Sequence, residues 1–219
     1  KEPGYKWDDF DIIGGFSYGP MVMVVNTASS KAKTLQEFIA FGKANPGKLT
    51  FGSFGPQSIQ NIVAQRVNEL SGVAWRGVPY KGGAQITPDL INGNVDAYFG
   101  FSVFATSIKD QPNIAILAVA NTKRIDTIPN VPTFAEAGYP GVNDGALSGI
   151  WAAAGTPKPI LAKLRSAMAE AMKSPDLKPL IEGTGNLLYQ GTPEQFDADI
   201  RRQADQYTEA FKKLGIEPE

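Results

Sequence analysis

Apolar positions in this chain recur with two periods that alternate along its length. Residues 12–13 and 21–25 are short β-branched or apolar runs separated by Gly14, Gly15, Gly19 and Pro20, and they read as two buried strands. Thr34-Leu35-Gln36-Glu37 is a capping-box pattern, in which hydroxyl and carboxylate satisfy each other's backbone amides. Leu35, Phe38 and Ile39 then form a helical face that Asn45-Pro46-Gly47 ends. Residues 49–51 predict a strand, and Ser58 an N-cap for a helix striped by Ile59, Ile62, Val63, Val67 and Leu70. A strand over 75–78 leads through Tyr80-Lys81-Gly82-Gly83 to a helix carrying Ile86, Leu90 and Ile91, where Pro88 suits only the first turn. Residues 95–99 read as a strand, 103–108 as a helix and 114–120 as a strand.

The second half is sparser. Residues 122–142 read as loop, with a short helix over 133–137. A strand over 147–153 precedes Gly155-Thr156-Pro157, which opens a long helix striped by Ile160, Leu161, Leu164, Met168 and Met172. A shorter helix holds Leu177, Leu180 and Ile181, and 187–189 is a short strand. Thr192-Pro193-Glu194-Gln195 is a second capping box, opening a helix whose one face carries Phe196, Ile200, Tyr207, Phe211 and Leu214. Alternating strands and helices predict βαβ units and an α/β fold with a mostly parallel sheet.

Composition narrows the chemistry. The 219 residues include no His and no Cys. That excludes disulfides, thiolate nucleophiles, Ser-His-Asp triads and imidazole- or thiolate-based metal sites. The net charge of −1 gives no general attraction to nucleic acid or anionic membranes. The longest apolar runs, such as 114–120, are far too short to span a bilayer. The sequence starts at Lys1 with no charged-then-apolar leader, so a compartment is not readable from a signal.

In open parallel sheets ligands bind beyond the carboxyl ends of the strands. Three junctions there contain glycine and open a helix: 52–58, 80–84 and 99–102. Glycine lets backbone approach a ligand, helix N-terminal amides favour an anion, and Ser53, Ser58 and Ser102 add hydroxyls. Together they describe a neutral cradle for a carboxylate or phosphate. Ordinary capping accounts for such turns too, and position alone favours it. Gly52-Ser53-Phe54-Gly55 is not a dinucleotide fingerprint, and Lys81-Gly82-Gly83 lacks the Ser/Thr of a P-loop. Asp8, Asp9 and Asp11, like Asp197 and Asp199, read as solvated surface, and Asp96 as a paired structural carboxylate. No acid and base converge at a junction, which speaks against an enzyme. No cofactor or metal is implied.

Three segments resemble one family: VPYKGGAQITPDLINGNVDAYF at 78–99, LAVANTKRIDTIPNVPTFAEAGYPGV at 117–142 and AAAGTPKPILAKL at 152–164. TLQEFIAFGKANPGKLTFGS at 34–53 and the TPEQF start of the last helix fit as well. The sequence is thereby identified as similar to the TctC/Bug group, extracytoplasmic solute receptors of tripartite tricarboxylate transporters. The resemblance implies a two-lobed, periplasmic-binding-protein-like (type II) fold with mixed, mostly parallel sheets. It implies a periplasmic location, a small organic acid held between the lobes and delivery to membrane subunits. Carried over by position, Ser53, Phe54, Gln57 and Ser58 in the first turn, with Lys81, Gly82, Gly83 and Ala84 at the second, would hold a carboxylate. Phe101 and Ser102 would face the ligand's other end, and Ser17 and Tyr18 would lie at the crossover.

This sequence also departs from the family pattern. Members usually begin well upstream, so lobe one is expected to be incomplete: residues 22–141 would form lobe two, and 1–21 with 142–219 the remainder of lobe one and the closing helices. Uncovered strand edges in that remainder predict self-association. Gly100 stands where Asp is common, Gln57 where glycine is and Asn61 where His is. Gly100 argues against an amino-acid ligand. Phe54, Phe101 and Phe104 add aromatic surface, favouring an aromatic or longer-chain carboxylate over citrate. The alternatives are a sensory or structural module that passes ligand state to a membrane partner and, less favoured, a carboxylate-acting enzyme.

Overall fold

The first strand, β1 (Phe10–Asn26), runs unbroken for 17 residues where the pattern predicted two separate runs. In this computed structural model, which describes residues 4–216, its glycines make room for neighbours rather than turn the chain. A Cβ on Gly15 would collide with the Phe196 ring, and one on Gly14 would touch Met168 at 3.4 Å. The strand therefore passes close under two helices instead of ending.

After β1 come α1 (Thr27–Ser30), α2 (Leu35–Ala44), β2 (Thr50–Ser53), α3 (Ile59–Ser71), β3 (Arg76–Pro79) and α4 (Gly83–Asn92). Then follow β4 (Ala97–Phe101), α5 (Ser102–Ile108), β5 (Ile114–Ala120) and β6 (Gly145–Ala153). The chain closes with α6 (Lys158–Ala171), α7 (Leu177–Glu182), β7 (Leu187–Leu188) and α8 (Pro193–Lys213). It divides into two compact units: residues 1–19 with 147–219, and residues 20–146. Residues 1–3 and 217–219 of the segments assigned above to lobe one lie outside the described residues.

In the unit of residues 20–146 the strand order is β3-β2-β4-β1-β5. β2 is parallel to β3 and β4, while β1 is antiparallel to both β4 and β5. Four strands thus point one way, with β1 inserted against them. Met21 pairs with both Phe101 and Ala120, so β1 enters the sheet at the carboxyl edge of the others. Met21, Met23 and Val25 face a core that includes Phe38, Phe51, Trp75, Phe99 and Phe134. Trp75 knits it together, with ring centroids 5.5 Å from Phe38, 5.3 Å from Phe51 and 5.8 Å from Phe99. Each of these phenylalanines is fully buried, and truncating one costs about 3–5 kcal/mol. Asn26 ends β1 by capping α1, and its Nδ2 donates to Leu90 O and Ile91 O, which fixes the end of α4.

In the other unit, β6 and β7 pair with β1, with Ser17 opposite Leu188 and Tyr18 opposite Leu187. Phe196 at the head of α8 is fully buried against Trp151 and Tyr189. Arg165 on α6 donates through Nε and Nη2 to Ile12 O.

Both capping boxes form, Thr34 with Glu37 and Thr192 with Gln195. Other expectations need correction. Pro88 lies in the second turn of α4, because that helix starts as early as Gly83. Residues 133–137 make one hydrogen-bonded turn rather than a helix: Thr133 and Glu136 cap each other, but Thr133 is already bridged to Val119 as an extension of the sheet. The predicted strand over 95–99 shifts to Ala97–Phe101, since Asp96 is held by Thr50 before pairing begins. Leu70 on α3, Ile160 and Leu164 on α6 and Leu180 on α7 face outwards: α3 buries Ile62, Val63 and Val67 instead, α6 buries Leu161, and α7 buries no residue.

Candidate functional site

The ends of β2, β3 and β4 lie side by side, since Ser53 registers with Pro79 and Gly52 with Tyr98. Their following turns consequently share one edge of the sheet. Tyr80 N donates to Ser53 O at 2.8 Å, tying the first two turns together.

The turn after β2 is internally satisfied. Gly55 sits at φ +102°, a conformation that only glycine adopts cheaply. Its carbonyl accepts from Ser58 N and, at 2.7 Å, from Ser58 Oγ. Ser58 Oγ in turn accepts from Asn61 N at 3.3 Å, so Ser58 is the predicted N-cap and its hydroxyl proton is held by Gly55. Asn61 Nδ2 closes the turn on Pro56 O. Ser53 is buried, whereas Phe54 and Gln57 are exposed at the tip.

The turn after β3 is built differently. Gly82 is the N-cap of α4 and supplies no side-chain cap. A Cβ on Gly82 or Gly83 would meet nothing within 4 Å. The first amides of this ten-residue helix thus open onto free space. Lys81 and Ala84 flank them, both exposed. Tyr80 Oη donates to Asp89 at 2.7 Å, and burial, then Asp89, pushes the tyrosine up to about 12. Hydrogen bonds from Asn94 and then Tyr80 hold Asp89 below the usual carboxylate range.

At the third junction β4 continues through Gly100 and Phe101, and Ser102 is the first, fully buried residue of α5. Tyr98 and Gly100 share one face of β4. A Cβ on Gly100 would stand 2.5 Å from Phe104 and 3.0 Å from Tyr98, so two rings occupy the space of a side chain. Tyr98 lies 5.0 Å edge-on from Phe104 and 6.4 Å from Phe54. Burial raises the Tyr98 hydroxyl, opposed by a hydrogen bond from the Gln60 side chain.

Ten sequence-predicted site residues thus lie along one edge of the 20–146 unit: Ser53, Phe54, Gln57, Ser58, Lys81, Gly82, Gly83, Ala84, Phe101 and Ser102. Ser17 and Tyr18 belong to the other unit, close before the chain leaves it. Asp96 has the structural partner expected of it, accepting from Thr50 N and Oγ1 at 2.8 and 2.9 Å. Asp199, read as solvated, is instead paired with Tyr189 and Arg202. Sequence reasoning passed over Gln60 and Tyr98. The period-two alternation of β4, which puts Tyr98 on the Gly100 face, was the available signal for the second.

Residues 3–216 match the family described as the tripartite tricarboxylate transporter family receptor, TctC. The chain is 29% identical over 204 residues to the "UPF0065 protein in gbd 5'region" of Cupriavidus necator, covering 93% of this chain and 61% of that one. It therefore spans about three-fifths of the length of the curated relatives it matches. A solved structure described as a periplasmic transporter is 30% identical with a TM-score of 0.87, over 99% of this chain and 72% of its own. MatC from Rhodopseudomonas palustris with bound malate is 25% identical, with a TM-score of 0.80 over 96% and 72%.

Proposed function

The chain belongs to the TctC family of tripartite tricarboxylate transporter receptors, and from that premise we propose that it is a periplasmic receptor that captures a small organic carboxylate for the membrane subunits of such a transporter. The observation that carries this reading is the start of α4. Amides without a side-chain cap open onto space that a Cβ would not crowd, beside two further strand-end turns. Such a helix start offers partial positive charge and aligned donors to an anion. Malate in MatC supports a carboxylate as the ligand class. Of the site residues named from sequence, only Lys81 carries a formal charge, and it is exposed. Main-chain dipoles, rather than an ion pair, would therefore hold the acid. In this reading the protein binds and releases its ligand unchanged and is not an enzyme. Among the described residues no helix is long and apolar enough to cross a membrane.

A thermal-shift series against mono- and dicarboxylates tests it. A ligand at a hundredfold excess over its Kd stabilises the folded chain by about 2.7 kcal/mol. At least one acid is expected to raise the midpoint in a concentration-dependent way, and the Lys81→Gln variant is expected to respond nearly as strongly. No response to any acid would overturn the proposal.

A further inference from the structure

We propose that Gln60 is a specificity-determining residue of this site, selecting organic acids whose apolar or aromatic body carries a hydroxyl over the same acids without one. This deepens the receptor reading and rests on it.

Gln60 is the second residue of α3 and is 2% exposed. Its Oε1 is buried and has no hydrogen-bond partner among the described residues. An amide oxygen out of water with no donor is costly, and native interiors rarely keep one. The same side chain bears on Tyr98, where it opposes the upward push of burial on the hydroxyl. The vacant valence on Oε1 is an acceptor, and it takes a donor.

Its surroundings indicate what carries that donor. Tyr98 is flanked by Phe54 and Phe104, which together form an aromatic wall. Phe54 is 44% exposed. Gly100, a step along the same face, lets Phe104 fill the space and leaves no polar side chain there. An ammonium would need a carboxylate partner, but Asp96 is engaged with Thr50, and Asp89 with Tyr80 and Asn94. A neutral hydroxyl on an apolar body meets both requirements, the unpaired oxygen and the aromatic wall. Gln60 follows the Ser58 cap by two residues, at the head of α3 and next to the turn that Tyr80 N ties to the α4 start. The effect is asymmetric, because an acid lacking the hydroxyl leaves the amide unpaired under its own bulk.

Titration calorimetry on this chain with matched pairs, para-hydroxybenzoate against benzoate and malate against succinate, tests the assignment. The hydroxy acid of at least one pair should bind about tenfold more tightly or better. Gln60→Met, which keeps volume and removes the acceptor, should bring the ratio close to one. Gln60→Leu serves as a second variant if the first folds poorly. Equal affinities within both pairs, or a ratio unchanged in the variants, overturns the assignment and leaves the oxygen to an internal water. Binding without discrimination refutes this inference alone, whereas no binding of any acid refutes the receptor reading with it.

Discussion

Arg66 donates to the Asp144 carboxylate at 2.5 Å, and Asp144 is 4% exposed. The carbonyl of Asp144 also accepts from Met21 N at 2.8 Å, so one residue ties the middle of α3 to the point where β1 enters the sheet. Burial pushes the Asp144 carboxyl up, against the pull of Arg66. Removing the guanidinium strands a buried carboxylate, which costs about 3–5 kcal/mol in general. Arg66 is itself 26% exposed, so Arg66→Ala is expected near the lower end, about 3 kcal/mol. The sign with pH follows from linkage. A carboxyl whose folded pKa lies above its unfolded value contributes stability that is present below the unfolded value and lost as pH rises through the folded one. Losing Arg66 raises the folded value further. Denaturant midpoints should therefore show a large deficit for Arg66→Ala at neutral pH and a smaller one in acid, with Asp144→Asn in the same background recovering part of it. An equal deficit at both pH values would contradict this.

Phe196 and two glycines make a second test. The three nearest neighbours of a Cβ added at Gly15 all belong to the Phe196 ring. A Cβ at Gly149 would meet that ring at 2.5 Å and also Gly14 O at 2.8 Å. Gly15→Ala and Gly149→Ala should each destabilise by about 1–3 kcal/mol through overpacking. Phe196→Leu should relieve the Gly15 variant but only partly relieve the Gly149 one, because a backbone carbonyl does not move aside. Double-mutant cycles on denaturant midpoints read the difference.

These positions also show what was legible in advance. The capping boxes, the Ser58 cap and the strand over 114–120 were readable because each is a local pattern whose partners lie within a few residues. Gly14 and Gly15 were misread as breakers, since their partner Phe196 lies some 180 residues away and period alone does not report it. The outward faces of Ile160 and Leu164 escaped for the same reason: a stripe names an apolar face but not what covers it. At the candidate site, glycine and serine junctions were visible as types. The unpaired Gln60 oxygen was not, because residue type alone does not report whether a buried atom finds a partner.

Gly83 separates binding from folding. A methyl group there meets no protein atom within 4 Å, and the residue lies in the first turn of α4. Gly83→Ala should leave the thermal midpoint unchanged or slightly raised, since alanine loses less backbone freedom than glycine on folding. The same methyl would stand where an anion approaches the helix amides, and carboxylate affinity should fall about tenfold, the loss of roughly one charge-assisted hydrogen bond. Calorimetry beside a melting curve distinguishes the cases. Lost stability with unchanged affinity would mean that the open space at α4 is not where the ligand sits.

Tyr80 and Tyr189 predict the alkaline behaviour. Each donates to a carboxylate at 2.7 Å, Asp89 and Asp199, and each is pushed up to about 12, first by burial and then by that partner. Because the folded value exceeds the ordinary 10.0, their contribution to stability is fully present below pH 10 and is lost as pH rises towards 12. Tyrosinate absorbance should accordingly show Tyr80 and Tyr189 titrating late, beside Tyr98, which burial also raises, with one late group fewer in Tyr80→Phe. Asp89→Asn should lower Tyr80 only partway, because burial, the largest cause, survives the substitution. On the acid side, Asp89 is held low by Asn94 and Tyr80, so its contribution is present above the ordinary 3.8 and fades as pH falls below it. Asp89→Asn should therefore flatten both ends of the stability profile. A profile changed only in acid would mean that the Tyr80 hydroxyl is not paired with Asp89 in solution.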